Sequence, residues 1–382
     1  MKICCIADIH IGVKAYSKVD PVTHFSYREI ETLNNFKKVI DICIKDNIEV
    51  LLIAGDIYNT SIVSPMLQDE VNKILNYAAA NLKVLILDGN HDLKKLDTAV
   101  SNLKPLDTFN IKNVIHTKDW LDTELNIKDE TVRFIFLPTY TTDEEIGQLL
   151  DEHLPKKNKY KNPIIVIGHF TTQGASLNDW LIAENEGNIN INHFVGRNIN
   201  FVVLGHLHRP QILRKAKPFI FYTGSLQRTD FNEEDQEKGY WIIDTDDNSH
   251  EFFPLDMQKF YTINVNIEDN GISTLQQIKN NIDINRVKDA ICRVIITTTE
   301  DLKLNSNDEK ELMKYLQSLD ATNVLAVSQK IIDTERMRNV DINETITIDK
   351  SLELFYKGKP REKERIKLGQ EIINMYHKSL EE

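Results

Sequence analysis

Phe201-Val202-Val203-Leu204-Gly205-His206-Leu207-His208 reads as a short strand that ends in chemistry. An uninterrupted apolar run of this length, rich in β-branched residues, fits a strand covered on both faces. Two histidines at i, i+2 on extended chain face the same way. Neutral imidazoles suit manganese, iron or zinc. The pattern recurs upstream. Ile3 to Ala7 runs into Asp8 and His10, and Val50 to Ala54 into Gly55-Asp56. Val84 to Leu87 is followed by Gly89-Asn90-His91-Asp92, and Ile164 to Ile167 by Gly168-His169. Ligands in open α/β sheets gather outside the carboxyl ends of strands. Five strand ends that carry metal-competent side chains therefore predict one site.

Between the strands, which also include Phe134 to Leu137, lie helical patterns. Tyr27 to Lys45 places Ile30, Leu33, Phe36, Ile40 and Ile44 at helical spacing. Ser64-Pro65 is an N-cap followed by proline at the first helical position, opening a helix towards Ala80. The alternation predicts a layered α/β fold. After Phe253-Pro254 the character changes. Two β-rich runs, Tyr261 to Ile267 and Ile291 to Thr298, a helix from Ser306 to Leu319 and a further strand, Val324 to Val327, predict a smaller α+β unit. From Ile346 the chain reads as a short helix (Lys350 to Tyr356), a basic connector (Lys357-Gly358-Lys359-Pro360-Arg361) and a last amphipathic helix carrying Ile366, Ile373, Tyr376 and Leu380 on one face. The expected boundaries are 1–257, 258–342 and 343–382.

Each motif taken alone is compatible with an ordinary polar turn or a structural histidine. Together they supply two carboxylates, one amide and four imidazoles: Asp8, His10, Asp56, Asn90, His169, His206 and His208. That set is enough for two divalent ions sharing Asp56. Two ions clamp the attacking and leaving oxygens of an in-line displacement at phosphorus. His91, one residue beyond Asn90, points elsewhere and is a candidate acid or phosphate contact.

The formal net charge of −12 argues against a protein that grips nucleic acid through a broad basic surface. It leaves room for a nucleic-acid enzyme whose metals or partner supply the positive charge. Four scattered cysteines, Cys4, Cys5, Cys43 and Cys292, form neither a disulfide framework nor a zinc spacing. Cys4 and Cys5 should point to opposite faces of a strand, and all four read as reduced thiols of a cytoplasmic protein. No apolar run reaches the roughly 20 residues that span a bilayer. The N-terminus runs straight into Asp8 and His10, without a signal peptide.

The motifs, in this order, resemble the calcineurin-like metallophosphoesterase superfamily. Within it, Gly-Asn-His-Asp at 89–92, Gly-His-Phe-Thr-Thr-Gln-Gly-Ala-Ser at 168–176, Gly-His-Leu-His-Arg-Pro-Gln at 205–211 and Tyr-Thr-Gly-Ser-Leu-Gln-Arg-Thr-Asp-Phe at 222–231 are similar to the SbcD-type DNA nuclease subunits, as is Glu237-Lys238-Gly239-Tyr240. The resemblance implies a four-layer sandwich, two mixed sheets flanked by helices, with an α+β cap domain and a C-terminal helical tail. It implies one metal held by Asp8, His10, Asp56 and His208, and a second by Asp56, Asn90, His169 and His206, usually manganese. His91 matches the family histidine that contacts the scissile phosphate or protonates the leaving oxygen. Some members carry a second histidine three residues after the bridging aspartate. Here that position is Asn59, a possible phosphate contact that cannot shuttle a proton.

The activity implied is an exonuclease on duplex ends and an endonuclease on single strands or hairpins, in DNA repair, recombination and replication. The implied partners are DNA, an SbcC-type ATPase whose coiled coil receives the C-terminal tail, and a second copy of the chain joined through Met66 to Ala80. Two other readings compete: a phosphatase or cyclic-nucleotide phosphodiesterase of the same superfamily, and a catalytically silent scaffold. Asp56-Ile57-Tyr58-Asn59 lacks the arginine-containing run of the protein-phosphatase branch, and a small phosphodiesterase has no use for residues 259–382. A scaffold should have lost ligands, and all seven positions are filled.

Overall fold

The structure, a computed structural model, describes residues 1–93, 101–177, 180–181, 189–331, 356, 363 and 365–369. Its strands, in chain order, are β1 (Lys2–Ile6), β2 (Val50–Ala54), β3 (Lys83–Leu87), β4 (Val114–Thr117), β5 (Leu121–Ile127), β6 (Glu130–Phe136), β7 (Ile164–His169), β8 (Ser176–Leu177), β9 (Trp180–Leu181), β10 (Phe201–Gly205), β11 (Gln211–Arg214), β12 (Phe219–Tyr222), β13 (Gly239–Asp244), β14 (His250–Pro254), β15 (Lys259–Asn266), β16 (Ala290–Thr298) and β17 (Asn323–Ile331). The helices are α1 (Tyr27–Lys45), α2 (Pro65–Asn81), α3 (Lys104–Thr108), α4 (Asp143–His153), α5 (Thr274–Asn280), α6 (Ile284–Val287) and α7 (Ser306–Ser318).

Two six-stranded mixed sheets form the body, ordered β14-β13-β1-β2-β3-β4 and β11-β12-β10-β7-β6-β5. The central strands of each are parallel; antiparallel neighbours close both edges of the second sheet and the β14 edge of the first, whose other edge strand, β4, runs parallel to β3. Strand alternation sorts each sheet's side chains into two cores. Cys5 faces the layer between the sheets with Val50, Leu52, Phe134, Ile165 and Phe201. Cys4 faces the opposite way, against Phe36, Val39, Val71 and Leu75 of α1 and α2. A third core joins the outer face of the second sheet to Ile146 and Leu150 of α4. The order is therefore helix, sheet, sheet, helix. All four cysteines are free and buried.

Local signals start the helices where the sequence places them. Ser26 and Glu29 form a capping box at α1, and Ser64 accepts from Leu67 N–H at 3.3 Å with Pro65 in the first turn of α2. The chain after Pro254 builds a separate parallel sheet, β15-β16-β17, over its own core of Tyr261, Ile263, Val294, Ile296, Leu312 and Leu316. The tail expected over 343–382 lies almost wholly outside the described residues. Among those described, no helix is long and apolar enough to cross a membrane. Met66 and Tyr77 on α2 are exposed.

Candidate metal centre

The seven candidate ligands and His91 lie where strands end. Asp8 and His10 follow β1, Asp56 follows β2, Asn90 and His91 follow β3, His169 ends β7, and His206 and His208 follow β10. Three of these strands belong to one sheet and two to the other. The site therefore closes over one end of the inter-sheet core. The loops are tightly specified. Asp8 N–H donates to Gly55 O at 3.0 Å and His10 N–H to Asp56 O at 3.1 Å. The buried Asp92 carboxylate accepts from the N–H groups of Ile57 (3.2 Å), Tyr58 (2.9 Å) and Gly89 (2.9 Å), joining the β2 and β3 loops.

Asp8, His10, Asp56 and His206 have φ of 50°, 51°, 53° and 92°. A non-glycine residue there costs on the order of 1–3 kcal/mol, and such strain gathers at functional sites. It also corrects one expectation from the sequence: His206 and His208 do not face the same way. His206 Nδ1 lies 3.0 Å from Asn90 Oδ1, whereas His208 Nε2 lies 2.8 Å from His10 Nε2. The left-handed turn at His206 cancels the alternation of extended chain, and the pair divides between two halves of the site.

Ligand atoms of Asp8, His10 and His208 fall within 4.8 Å of one another. The same holds for Asp8, Asp56 and His169, and for His10, Asp56 and His91. Asn90 joins through its amide oxygen, 3.0 Å from His169 Nε2. The hydrogen bonds behind the rings set which nitrogen is free. His208 Nδ1 is 2.7 Å from Glu233 Oε1 and His169 Nδ1 is 2.8 Å from the carbonyl oxygen of Ala54. Both Nδ1 atoms therefore carry hydrogen, and the Nε2 lone pairs point inward. His169 Nε2 then faces two further electron-pair donors, Asp56 Oδ2 at 3.3 Å and Asn90 Oδ1 at 3.0 Å. Only a cation, a proton or a metal, reconciles them. Carboxylate, amide and imidazole together suit a divalent first-row ion. The residues present fit such a group.

The protonation pattern fits as well. Burial lowers His10, and burial with the neighbouring His169 lowers His206 to about 4. Burial also opposes the charge on His169, yet the Asp56 carboxylate pushes it up to about 9. His208 is raised by its hydrogen bond to Glu233, against burial. Burial likewise disfavours ionised Asp56, but His169 and His10 hold its carboxyl well below the usual range. Burial raises Asp8. His10 Nδ1 is buried without a hydrogen-bond partner. Metal binding at such a set displaces protons.

His91 stands at the rim. Its Nδ1 lies 2.6 Å from the carbonyl oxygen of Asn59, and its backbone N–H donates to Asp56 Oδ1 at 2.8 Å. Asn59 thus reaches the site through its main chain. Sequence reasoning missed Glu233, whose carboxylate also accepts from Thr229 N–H at 2.8 Å and pairs with Lys238 Nζ at 3.0 Å. Nothing in Phe231-Asn232-Glu233-Glu234 distinguishes it from its neighbour. Lys238 falls in the Glu237-Lys238-Gly239-Tyr240 motif, which by itself gives the lysine no role.

The family model described as calcineurin-like phosphoesterase matches residues 1–210. Among curated proteins, the SbcD subunit of the SbcCD nuclease of Staphylococcus epidermidis is 26% identical over 277 residues, 67% of this chain and 70% of that protein. The DNA double-strand break repair protein Mre11 of Archaeoglobus fulgidus is 22% identical over 302 residues, 72% of this chain and 64% of that protein. A solved structure described as a 5'-nucleotidase from Staphylococcus aureus aligns with a TM-score of 0.44 and 15% identity, over 73% of this chain and 57% of that one.

Proposed function

The chain belongs to the calcineurin-like phosphoesterase family, and from that premise we propose that it is the metal-dependent DNA nuclease subunit of an SbcC–SbcD-type complex. The observation that carries the metal-dependent chemistry is the convergence of lone pairs from five strand ends, with His169 Nε2 held against Asp56 and Asn90. The choice of DNA as substrate rests on the likeness to the SbcD subunit and to Mre11.

Asp8, His10, Asp56 and His208 would hold one divalent ion, and Asp56, Asn90, His169 and His206 the other, manganese in both. Two such ions supply an activated water and neutralise charge on the phosphoryl oxygens. The chain's own residues do the rest. The Asn59 carbonyl fixes the Nδ1–H of His91, which leaves Nε2 to hold a proton at the leaving oxygen. The Asn59 side chain would contact a phosphate of the substrate. Residues 258–342 act as a DNA-binding cap, residues 343–382 bind the ATPase, and α2 pairs two copies of the chain. The protein acts in the cytoplasm on duplex ends, single strands and hairpins.

The test is digestion of linear duplex DNA by the purified chain in manganese, with and without an SbcC-type ATPase. Manganese-dependent cleavage is expected. Absence of DNA cleavage beside good turnover of small phosphoesters would assign the chain to the phosphatase or phosphodiesterase reading instead.

A further inference from the structure

Glu233 is buried, and both of its oxygens are used. One lies 2.7 Å from His208 Nδ1 and 2.9 Å from the Thr229 hydroxyl, and the other faces Lys238 Nζ at 3.0 Å and Thr229 N–H at 2.8 Å. Lys238 is itself buried and donates to the carbonyl oxygen of His208 at 2.8 Å. The carboxylate therefore grips the histidine at its ring, while the lysine it pairs with grips the same residue at its backbone.

Glu233 ends a 3-10 turn, Phe231–Glu233, in which Phe231 is the other buried residue. Phe231 packs with Phe260 and Ile291 of β15 and β16, and the Arg293 guanidinium lies 4.3 Å from its ring centre. Glu234 accepts from Thr262 N–H at 2.9 Å and from Arg286 at 2.9 Å. Adjacent residues of one short turn thus hold a candidate ligand on one side and the three-stranded unit on the other. Asp230 caps the turn by accepting from Asn232 N–H at 2.7 Å, which stiffens the link.

We propose that Glu233 is a positioning residue for His208, and that the turn Phe231–Glu233 couples the ion at Asp8, His10 and His208 to the placement of the β15–β17 unit. A carboxylate on the far nitrogen of a ligating histidine fixes its tautomer and ring orientation and raises its basicity. A shift of β15 and β16 moves Phe231, and Glu233 moves with it. The inference rests on the two-ion reading given above.

The experiment is calorimetric titration of the full metal-free chain with manganese chloride, with bound metal counted by elemental analysis. Wild type is expected to bind two ions. Glu233→Gln, which keeps the volume, should weaken one of them by about 10–100-fold, the usual effect of losing such a partner, and leave the other nearly unchanged. Thr229→Val removes only the hydroxyl contact and should weaken the same ion less, which keeps the test open if Glu233→Gln folds poorly. Arg293→Ala, outside the metal centre, should weaken that same ion several-fold, and its effect should vanish in the Glu233→Gln background. Unchanged binding of both ions by the Glu233 and Thr229 variants overturns the positioning role. An Arg293 variant that binds as wild type, or whose effect adds in full to that of Glu233→Gln, overturns the coupling. Wild type that binds no manganese overturns the two-ion reading beneath both.

Discussion

His91 holds its imidazole against the main chain of Asn59: Nδ1 lies 2.6 Å from the carbonyl oxygen, while the His91 ring meets that of His10 edge-on at 4.9 Å. Asn59, three residues after Asp56, thus serves His91 through its main chain. Replacing His91 with Asn should lower DNA cleavage by about 10²–10⁴-fold, the usual worth of a general acid, with both manganese ions retained. Asn59→Ala keeps the carbonyl and should cost less than about tenfold, in line with the roughly 1 kcal/mol of one side-chain hydrogen bond. Rates and metal content measured on the same preparations decide the matter. Loss of an ion from the His91 variant would make that residue a ligand, an option left open by its grouping with His10 and Asp56.

Asp56 reaches both halves of the centre, with Oδ2 3.3 Å from His169 Nε2 and 3.8 Å from His10 Nε2. A shared carboxylate should be lost at the expense of both ions. Asp56→Asn is expected to retain less than one manganese per chain by elemental analysis, whereas Asn90→Ala, which touches one half, should retain one. Equal retention by the two variants would contradict a bridging role for Asp56.

The site was legible because its residues follow strands that could be read. β1, β2, β7 and β10 are almost completely buried, and burial on both faces selects the short unbroken apolar runs that stand out in the sequence. The alternation that sends Cys4 and Cys5 to different cores was readable for the same reason. Edge strands were not. β5, Leu-Asp-Thr-Glu-Leu-Asn-Ile, alternates half-buried with exposed residues and has no apolar run. The divergence of His206 and His208 depends on one left-handed residue that extended-chain reasoning does not supply. Glu233 acquires its place only when the turn after β12 folds back on the loop after β10.

A half-buried histidine gives a pH prediction away from the metal centre. His116 lies between two carboxylates, Nε2 3.0 Å from Asp88 Oδ1 and Nδ1 2.9 Å from Asp107 Oδ1. Burial opposes its charge, but Asp88 and then Asp107 prevail and raise it above the usual histidine value. A raised folded value means that the unfolded chain releases the proton first as pH rises. The contribution is complete below the unfolded value of about 6.5 and fades as pH climbs through the folded one. His116→Asn should therefore destabilise the protein more at pH 6 than at pH 9 in urea unfolding. A penalty that stays constant or grows with pH would show that His116 is neutral in the folded chain.

Gly55 separates what a backbone demands from what a site demands. Its φ is 98°, and a Cβ there would sit 2.1 Å from His169 Nδ1, the atom that donates to the Ala54 carbonyl oxygen. Gly174 has φ of 78°, and a Cβ there would meet nothing within 4 Å, so it carries the backbone cost alone. Alanine at a positive φ destabilises by more than the roughly 0.4–1 kcal/mol that losing a glycine's freedom would gain. Both variants should share that cost in urea unfolding. Gly55→Ala alone should also push the His169 ring from its carbonyl partner, turn its free nitrogen away from Asp56 and Asn90, and lower manganese content by about one ion. If Gly55→Ala and Gly174→Ala kept the same metal content, the close approach at Gly55 would be a matter of packing, and His169 would not depend on it for its orientation.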